Sequence, residues 1–217
     1  MSEFVHVLNR GVDKRDIVLD DGDRARFLHD LYVFNDAEPA MNFLHHGRQG
    51  LASAPPRNLL VHIHAFALMM NHYHLLLSAC VENGISLFMK KLNMGYTKYF
   101  NEKYERVGTL WQSKYKGIAI ERDAHFLYIP YYIHLNPLDY TYPEWRKGEV
   151  RNPQAALREL DKYRWSSHLD YIGIPNFPSL TYRHELEPLL GNRGEYERNI
   201  RDILRDPSLA DGATLLE

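Results

Sequence analysis

The chain has one cysteine, Cys80, so no internal disulfide can form and the sequence is not a disulfide scaffold. No apolar run approaches the roughly 20 residues that span a bilayer. The opening Met1-Ser2-Glu3 begins no charged-then-apolar leader. Excess positive charge is also missing: 26 Lys and Arg against 28 Asp and Glu leave a net charge of −2. That excludes a uniformly basic chromatin-type protein but leaves room for a local basic face. Repeats and low-complexity tracts are absent too, which argues against a solenoid. The expectation is a cytoplasmic protein with no membrane partner. What is present is 217 residues, 45% of them hydrophobic and 12% aromatic, enough for one elaborated domain with a real core. Twelve His and 15 Tyr are the residues able to do chemistry.

Phe4-Val5-His6-Val7-Leu8 reads as a first strand, stopped by Asn9-Arg10-Gly11. Asp21-Gly22-Asp23 caps a helix whose apolar residues Phe27, Leu28, Leu31 and Phe34 recur at helical spacing. Asn35 to Asn58 holds three prolines and two glycines and predicts no regular element. Leu59–Leu68 and His72–Ala79, separated by Met69-Met70-Asn71, predict a β-hairpin. A long amphipathic helix follows over Gly84–Tyr104, with Gly95 as a weak point. Thr109–Ile120 predicts a fourth strand. A helix from Asp123 to Asn136 comes next, with Pro137 as its stop and Pro130 expected to kink or split it. The order β-α-β-β-α-β specifies an α+β fold, a ferredoxin-like antiparallel sheet. The predicted division is 1–138 for the sheet and its following helix, and 139–217 for a helical and loop extension packed on it.

Side chains two apart on a strand share a face, close enough to share an ion. Two such pairs occur, His62-Ile63-His64 and His72-Tyr73-His74, and spacing alone does not choose between them. His6 and Asn71 are candidates to orient the metal-side imidazoles. On the last helix Tyr128, Tyr132 and Asn136 fall on one face at intervals of four. A phenol one turn from a carboxamide can put a nucleophile beside a metal ligand, but aromatic residues at that spacing also build cores. Between Phe88 and Gly117 the local net charge is +5, with aromatics interleaved, the combination that single-stranded nucleic acid requires. Lys90, Lys91, Lys98, Trp111, Lys114 and Lys116 there, and Arg10, Lys14 and Arg15 after the first strand, are the candidate DNA contacts.

Met70-Asn71-His72-Tyr73-His74-Leu75-Leu76-Leu77, followed downstream by Tyr132-Ile133-His134-Leu135-Asn136-Pro137, resembles the single-tyrosine HUH transposases, in particular the REP-associated tyrosine transposases. His6-Val7-Leu8-Asn9-Arg10-Gly11, Gly108-Thr109-Leu110-Trp111-Gln112 and Tyr163-Arg164-Trp165-Ser166-Ser167 carry the same resemblance, in the expected order over Val5 to Gly173. The resemblance selects His72 and His74 over His62 and His64, and Tyr132 over Tyr131. It implies that Tyr132 is the nucleophile and that His72, His74 and Asn136 bind a divalent ion, Mg²⁺ or Mn²⁺. Imidazole on its own would suggest a softer metal. It further implies cleavage and rejoining of single-stranded or hairpin DNA through a 5′-phosphotyrosine, in DNA transposition, with a homodimer as one assembly. A replication initiator or relaxase is the second enzymatic reading, and a non-catalytic nucleic-acid-binding ferredoxin-like module the third.

Overall fold

The computed structural model describes residues 3–39, 57–120 and 123–206. Most of the irregular stretch from Asn35 to Asn58 therefore lies outside the described residues. Strands β1 (Phe4–Arg10), β2 (Val61–Leu68), β3 (His72–Ala79) and β4 (Lys116–Ala119) form one antiparallel sheet in the order β2-β3-β1-β4. Helix α1 (Asp21–Val33) joins β1 to β2, and α2 (Gly84–Lys103) joins β3 to β4. This is the ferredoxin-like arrangement the sequence predicted. Helix α3 (Asp123–Leu135) follows, and a run of short turns leads to α4 (Pro153–Lys162), α5 (His168–Tyr171), α6 (Glu187–Leu190) and α7 (Arg193–Ile203).

The two faces of the sheet follow from strand alternation. Val7 of β1 and Tyr73, Leu75 and Leu77 of β3 pack with Phe27 and Leu31 of α1 and Phe88 and Leu92 of α2. Phe4, Leu76, Ala65 and Ala67 face the other way, against α3 and the extension. On β2 the alternation changes phase. Val61 and Ile63 belong to the first face, and a register shift between Ile63 and Ala65 leaves His64 as an extra residue. After this bulge Phe66 and Leu68 continue the first face, and the small Ala65 and Ala67 turn toward α3.

Three predictions need correction. The fourth strand is far shorter than Thr109–Ile120. Pairing runs regularly from Val5–Ala119 to Leu8–Lys116, and next touches only at the isolated Gly11–Trp111 bridge. Between those two pairs Asn9 and Arg10 of β1 oppose four residues, Gln112 to Tyr115, and the surplus lies around Ser113 and Lys114. Pro130 does not split α3, which runs through it. Burial of Ile129, Tyr132, Ile133 and Leu135 offsets the roughly 3 kcal/mol that an interior proline costs. Gly95 is not a weak point but a contact: a Cβ there would lie 2.3 Å from Cε2 and Cζ of the Phe34 ring, so glycine lets α2 close onto the end of α1.

The extension covers the free edge of β2. Leu68 donates its N–H to the Trp165 carbonyl (2.9 Å), Ser167 donates to the Phe66 carbonyl (3.0 Å), and Tyr182 donates to the Ile63 carbonyl (2.7 Å). The Trp165-Ser166-Ser167 motif is thus an edge cover. His134 fastens α3 to the same layer, with Nε2 2.7 Å from Ser167 Oγ and Nδ1 2.7 Å from the Tyr196 hydroxyl. Of the two tryptophans of the extension, Trp145 is fully buried, whereas Trp165 stays partly exposed. Among the described residues no helix is long and apolar enough to cross a membrane.

Substituting Gly95→Ala is expected to destabilise the protein by about 1–3 kcal/mol, the usual cost of overpacking. Each kcal/mol lowers Tm by about 2–4 °C in a chain of this size. Thermal unfolding of the variant checks this; an unchanged Tm would mean that Phe34 has room to turn away.

Candidate active site

On β3, His72 and His74 point to the α3 face, opposite Arg10 and Leu8 of β1. Both imidazoles are buried, with ring centroids 5.0 Å apart. The tight turn before them is held from several sides. Gly11 N–H donates to Asn71 C=O (2.8 Å), Ile17 N–H to Met70 C=O (2.7 Å), and Met70 N–H to the Tyr140 hydroxyl (2.7 Å). Each histidine has its Nδ1 engaged: His72 with Asn71 Oδ1 at 2.6 Å, His74 with His6 Nε2 at 2.9 Å. His6 and Asn71 therefore sit where the sequence suggested, orienting the two rings and leaving both Nε2 atoms for an ion.

Helix α3 lies across this face on Ala65 and Ala67 and brings Tyr132 over the histidines. Its ring centroid is 5.7 Å from that of His74 and 5.9 Å from that of His6, both edge-on. Tyr131, the rejected neighbour, points elsewhere and receives a hydrogen bond at its hydroxyl from Asn199 Nδ2 (2.8 Å). Asn136, one turn after Tyr132, donates from Nδ2 to the Tyr132 carbonyl (2.7 Å). Its Oδ1 is held by Arg146, a residue no sequence pattern singled out. Arg146 Nη2 donates to Asn136 Oδ1 (3.0 Å), and Nη1 lies 3.4 Å from the Tyr132 hydroxyl. Asp139 holds the guanidinium with contacts of 2.9 and 2.7 Å, and also accepts from Trp145 Nε1 (2.7 Å). The turn Pro143–Lys147 carries both Trp145 and Arg146, and Tyr132 beneath it is fully buried.

The buried imidazoles resist protonation. Burial, reinforced by the charge of Arg10, lowers His72 to about 4 against a weaker opposing pull from Asp139. Burial and the nearby Lys116 lower His6 to about 3. His74 is held well below its ordinary value, by burial first and by His72 and His6 next. All three are neutral at neutral pH, the state a metal ligand requires. The donor set fits a divalent ion at two positions. Asn136, the third ligand expected, has its oxygen on Arg146, whose positive charge opposes a cation at that position.

The candidate DNA contacts separate into groups. Arg10 faces His72 across the β1–β3 pair, and Lys116 of β4 shares that face. Lys14 and Arg15 are exposed in the turn after β1, and the Lys14 carbonyl accepts from Asn71 Nδ2 (3.2 Å). Lys90 and Lys114 line a groove of about 900 Å³ between α2 and the β4 edge, on the opposite face, with Tyr115 and Met94. Lys98, two turns beyond Lys90, is exposed and pairs with Glu102 at 3.8 Å. Two expectations fail. Lys91 Nζ is bonded to the carbonyls of Asp36, Ala37 and Glu38, so it secures the chain after α1 and is not a free cation. Trp111 is only 7% exposed and packs on Tyr73 and Tyr96, so it offers an edge rather than a stacking face. Lys103 is likewise taken, by Asp20 (2.8 Å) and Asp23 (2.7 Å).

An antiparallel sheet that presents a histidine pair to a tyrosine on the following helix is the arrangement the motif resemblance called for. Residues 56–136, from just before β2 through Asn136, match the family model described as "Transposase IS200 like". Among solved structures the chain is similar to a REP-associated tyrosine transposase bound to a REP hairpin. Identity is 12% and the TM-score 0.48, over 83% of this chain and 85% of that one. No curated protein matches the chain.

The sign of the pH dependence follows from the lowered histidines. Below their ordinary value of 6.5 the unfolded chain takes up protons that the folded one refuses. The stability they contribute is complete above about pH 6.5 and is lost as pH falls toward their folded values. Each such group costs about 1.4 kcal/mol per pH unit in that window. Denaturant midpoints measured in chelator are expected to fall steeply from pH 6.5 to 5, before carboxylates titrate. A flat profile there would mean that these imidazoles are not sealed from water.

Proposed function

We propose that the protein is a metal-dependent single-strand DNA endonuclease and strand transferase acting on hairpin-associated DNA, in the manner of a REP-associated tyrosine transposase. The observation that carries this reading is the convergence of Tyr132 on the neutral, pre-oriented pair His72 and His74. The IS200-like match over the segment containing all three supports it.

In the proposed reaction the Tyr132 oxygen attacks the phosphorus of a phosphodiester. The P–O3′ bond breaks, the 3′-oxygen leaves as a hydroxyl after taking up a proton, and the 5′-phosphate stays on the tyrosine. Because one ester replaces another, a free 3′-hydroxyl can reverse the step and rejoin strands. A phenol near its ordinary pKa of about 10 is a poor nucleophile at neutral pH, so charge developing on its oxygen needs stabilising. In the covered arrangement Arg146 turns its guanidinium toward the Tyr132 hydroxyl; once the site opens, that stabilisation would fall to the divalent ion. His72 and His74, joined by Asn136 once released, would hold a divalent ion that supplies Lewis-acid polarisation of the phosphoryl oxygens. His6 and Asn71 keep the tautomers that leave each Nε2 lone pair free. Arg10, Lys14, Arg15 and Lys116 are the contacts proposed for the strand near Tyr132. Lys90, Lys98 and Lys114 would hold DNA that wraps past the β4 edge.

The burial of Tyr132 gives the turn Pro143–Lys147 a role as a cover. Substrate reaches the phenol only when the Arg146–Asp139 pair and Trp145 move aside, which frees the Asn136 oxygen in the same event.

Two experiments test this. Incubating the protein with single-stranded hairpin oligonucleotides and Mn²⁺ or Mg²⁺ is expected to give a covalent adduct on a denaturing gel. Tyr132→Phe should abolish the adduct and keep DNA binding; an adduct surviving in that variant would remove Tyr132 from the chemistry. Arg146→Gln takes a cation off the Asn136 oxygen. It is expected to lower the half-saturating Mn²⁺ concentration for cleavage about tenfold, equivalent to about 1.4 kcal/mol. An unchanged or higher requirement would show that Arg146 does not compete with the ion.

A further inference from the structure

The second histidine pair, which the proposed chemistry does not use, has its own surroundings. Ser78, the register partner of His62, lies six residues along β3 from His72, about 20 Å at ~3.3 Å per residue. The pair is therefore remote from Tyr132. It sits where the extension crosses the β2 edge.

His62, His64 and Glu185 each offer one ligand atom here, all within 4.8 Å of one another. Every ring is held in place. His62 stacks on Tyr182 (centroids 3.8 Å apart, planes 10° apart), and Tyr182 is itself bonded to Ile63. His64 is fully buried, in the bulge, with Nε2 2.8 Å from Ser78 Oγ. Its backbone carbonyl accepts from the Tyr171 hydroxyl (2.7 Å). With Nε2 occupied, Nδ1 is the atom left over, and it is buried with the Tyr182 backbone as its neighbour and no side-chain partner. An unsatisfied buried imidazole nitrogen is costly unless something fills its lone pair. Glu185 has no basic partner among the described residues, and its charge is close enough to be felt by the exposed Cys80 thiol.

We infer that His62, His64 and Glu185 form a Zn²⁺ site that pins the extension to the edge of the sheet. Two imidazoles and one carboxylate are a zinc donor set. Ligand atoms around zinc sit about 3.3–3.5 Å apart for bonds of about 2.0–2.2 Å, so the side chains need to close by no more than about 1.5 Å. The Ser78 contact on the far nitrogen of His64 is the kind of outer hydrogen bond that ligating histidines make. Water fills the remaining position, with Cys80 beside it. Glu185 stands between Tyr182, which pairs with β2, and α6, so the ion would cross-link two distant parts of the chain.

The test is a calorimetric titration of the chelator-treated full chain with Zn²⁺. It is run in a His72→Ala, His74→Ala background, so that the other histidine pair contributes nothing. One Zn²⁺ is expected to bind and to raise Tm. Adding Glu185→Gln or His62→Ala, both at partly exposed positions, should weaken that binding at least tenfold and abolish the Tm rise. No binding in the double variant, or binding indifferent to both added substitutions, would overturn the assignment. Should the double variant not fold by circular dichroism, the same comparison is made in the otherwise unaltered chain. There Glu185→Gln must remove one equivalent of Zn²⁺, and an undiminished stoichiometry refutes the site.

Discussion

How closely α3 can approach the sheet sets everything at the candidate active site. A helix normally stands about 10 Å from the surface it packs on, and bulky strand residues would lift Tyr132 out of reach of the histidines. Here the strand under the helix presents Ala65 and Ala67. It does so only because the bulge at His64 changes which residues face which way. Were His64 paired regularly instead of bulged, the parity of β2 would carry on from Val61 and Ile63, the alanines would turn to α1 and α2, and Phe66 and Leu68 would meet α3. One inserted residue thus connects the sheet's packing to the chemistry proposed on its other face.

The same face is unusually rich in neutral imidazole. His6, His72 and His74 are packed together and kept uncharged by burial, with Arg10, Lys116 and Arg146 around them. Those cations make protonation harder still and give the surface a positive field suited to phosphate. The arrangement suits the proposed reaction, in which an anionic strand must be attracted while the imidazoles stay unprotonated.

Much of this was legible in the sequence, for identifiable reasons. The histidines of β3 stood in a strand with clear ends, after the short turn Met69-Met70-Asn71, and Tyr132 and Asn136 obeyed helical spacing, so both local geometry and family likeness spoke. Arg146 and Asp139 were invisible because the turns that carry them have no periodicity, and their partners are close only after α3 folds back. Lys91 was misjudged because charge counting cannot see the carbonyls that another segment brings to it. The length of β4 was overestimated because β propensity persists through Trp111 and Tyr115 although the ladder does not.

The way the extension lies along β2 has a consequence for the protein's evolution. A sheet of this kind has two open borders, and one of them is occupied by Trp165–Ser167 and Tyr182. Removing the extension would therefore bare a row of unmet amide groups beside an apolar layer, an invitation to self-association. Ancestors or cousins that lack such a tail must guard that border by another device. A copy of this chain that lost it by frameshift would be expected to precipitate rather than persist as a smaller working enzyme.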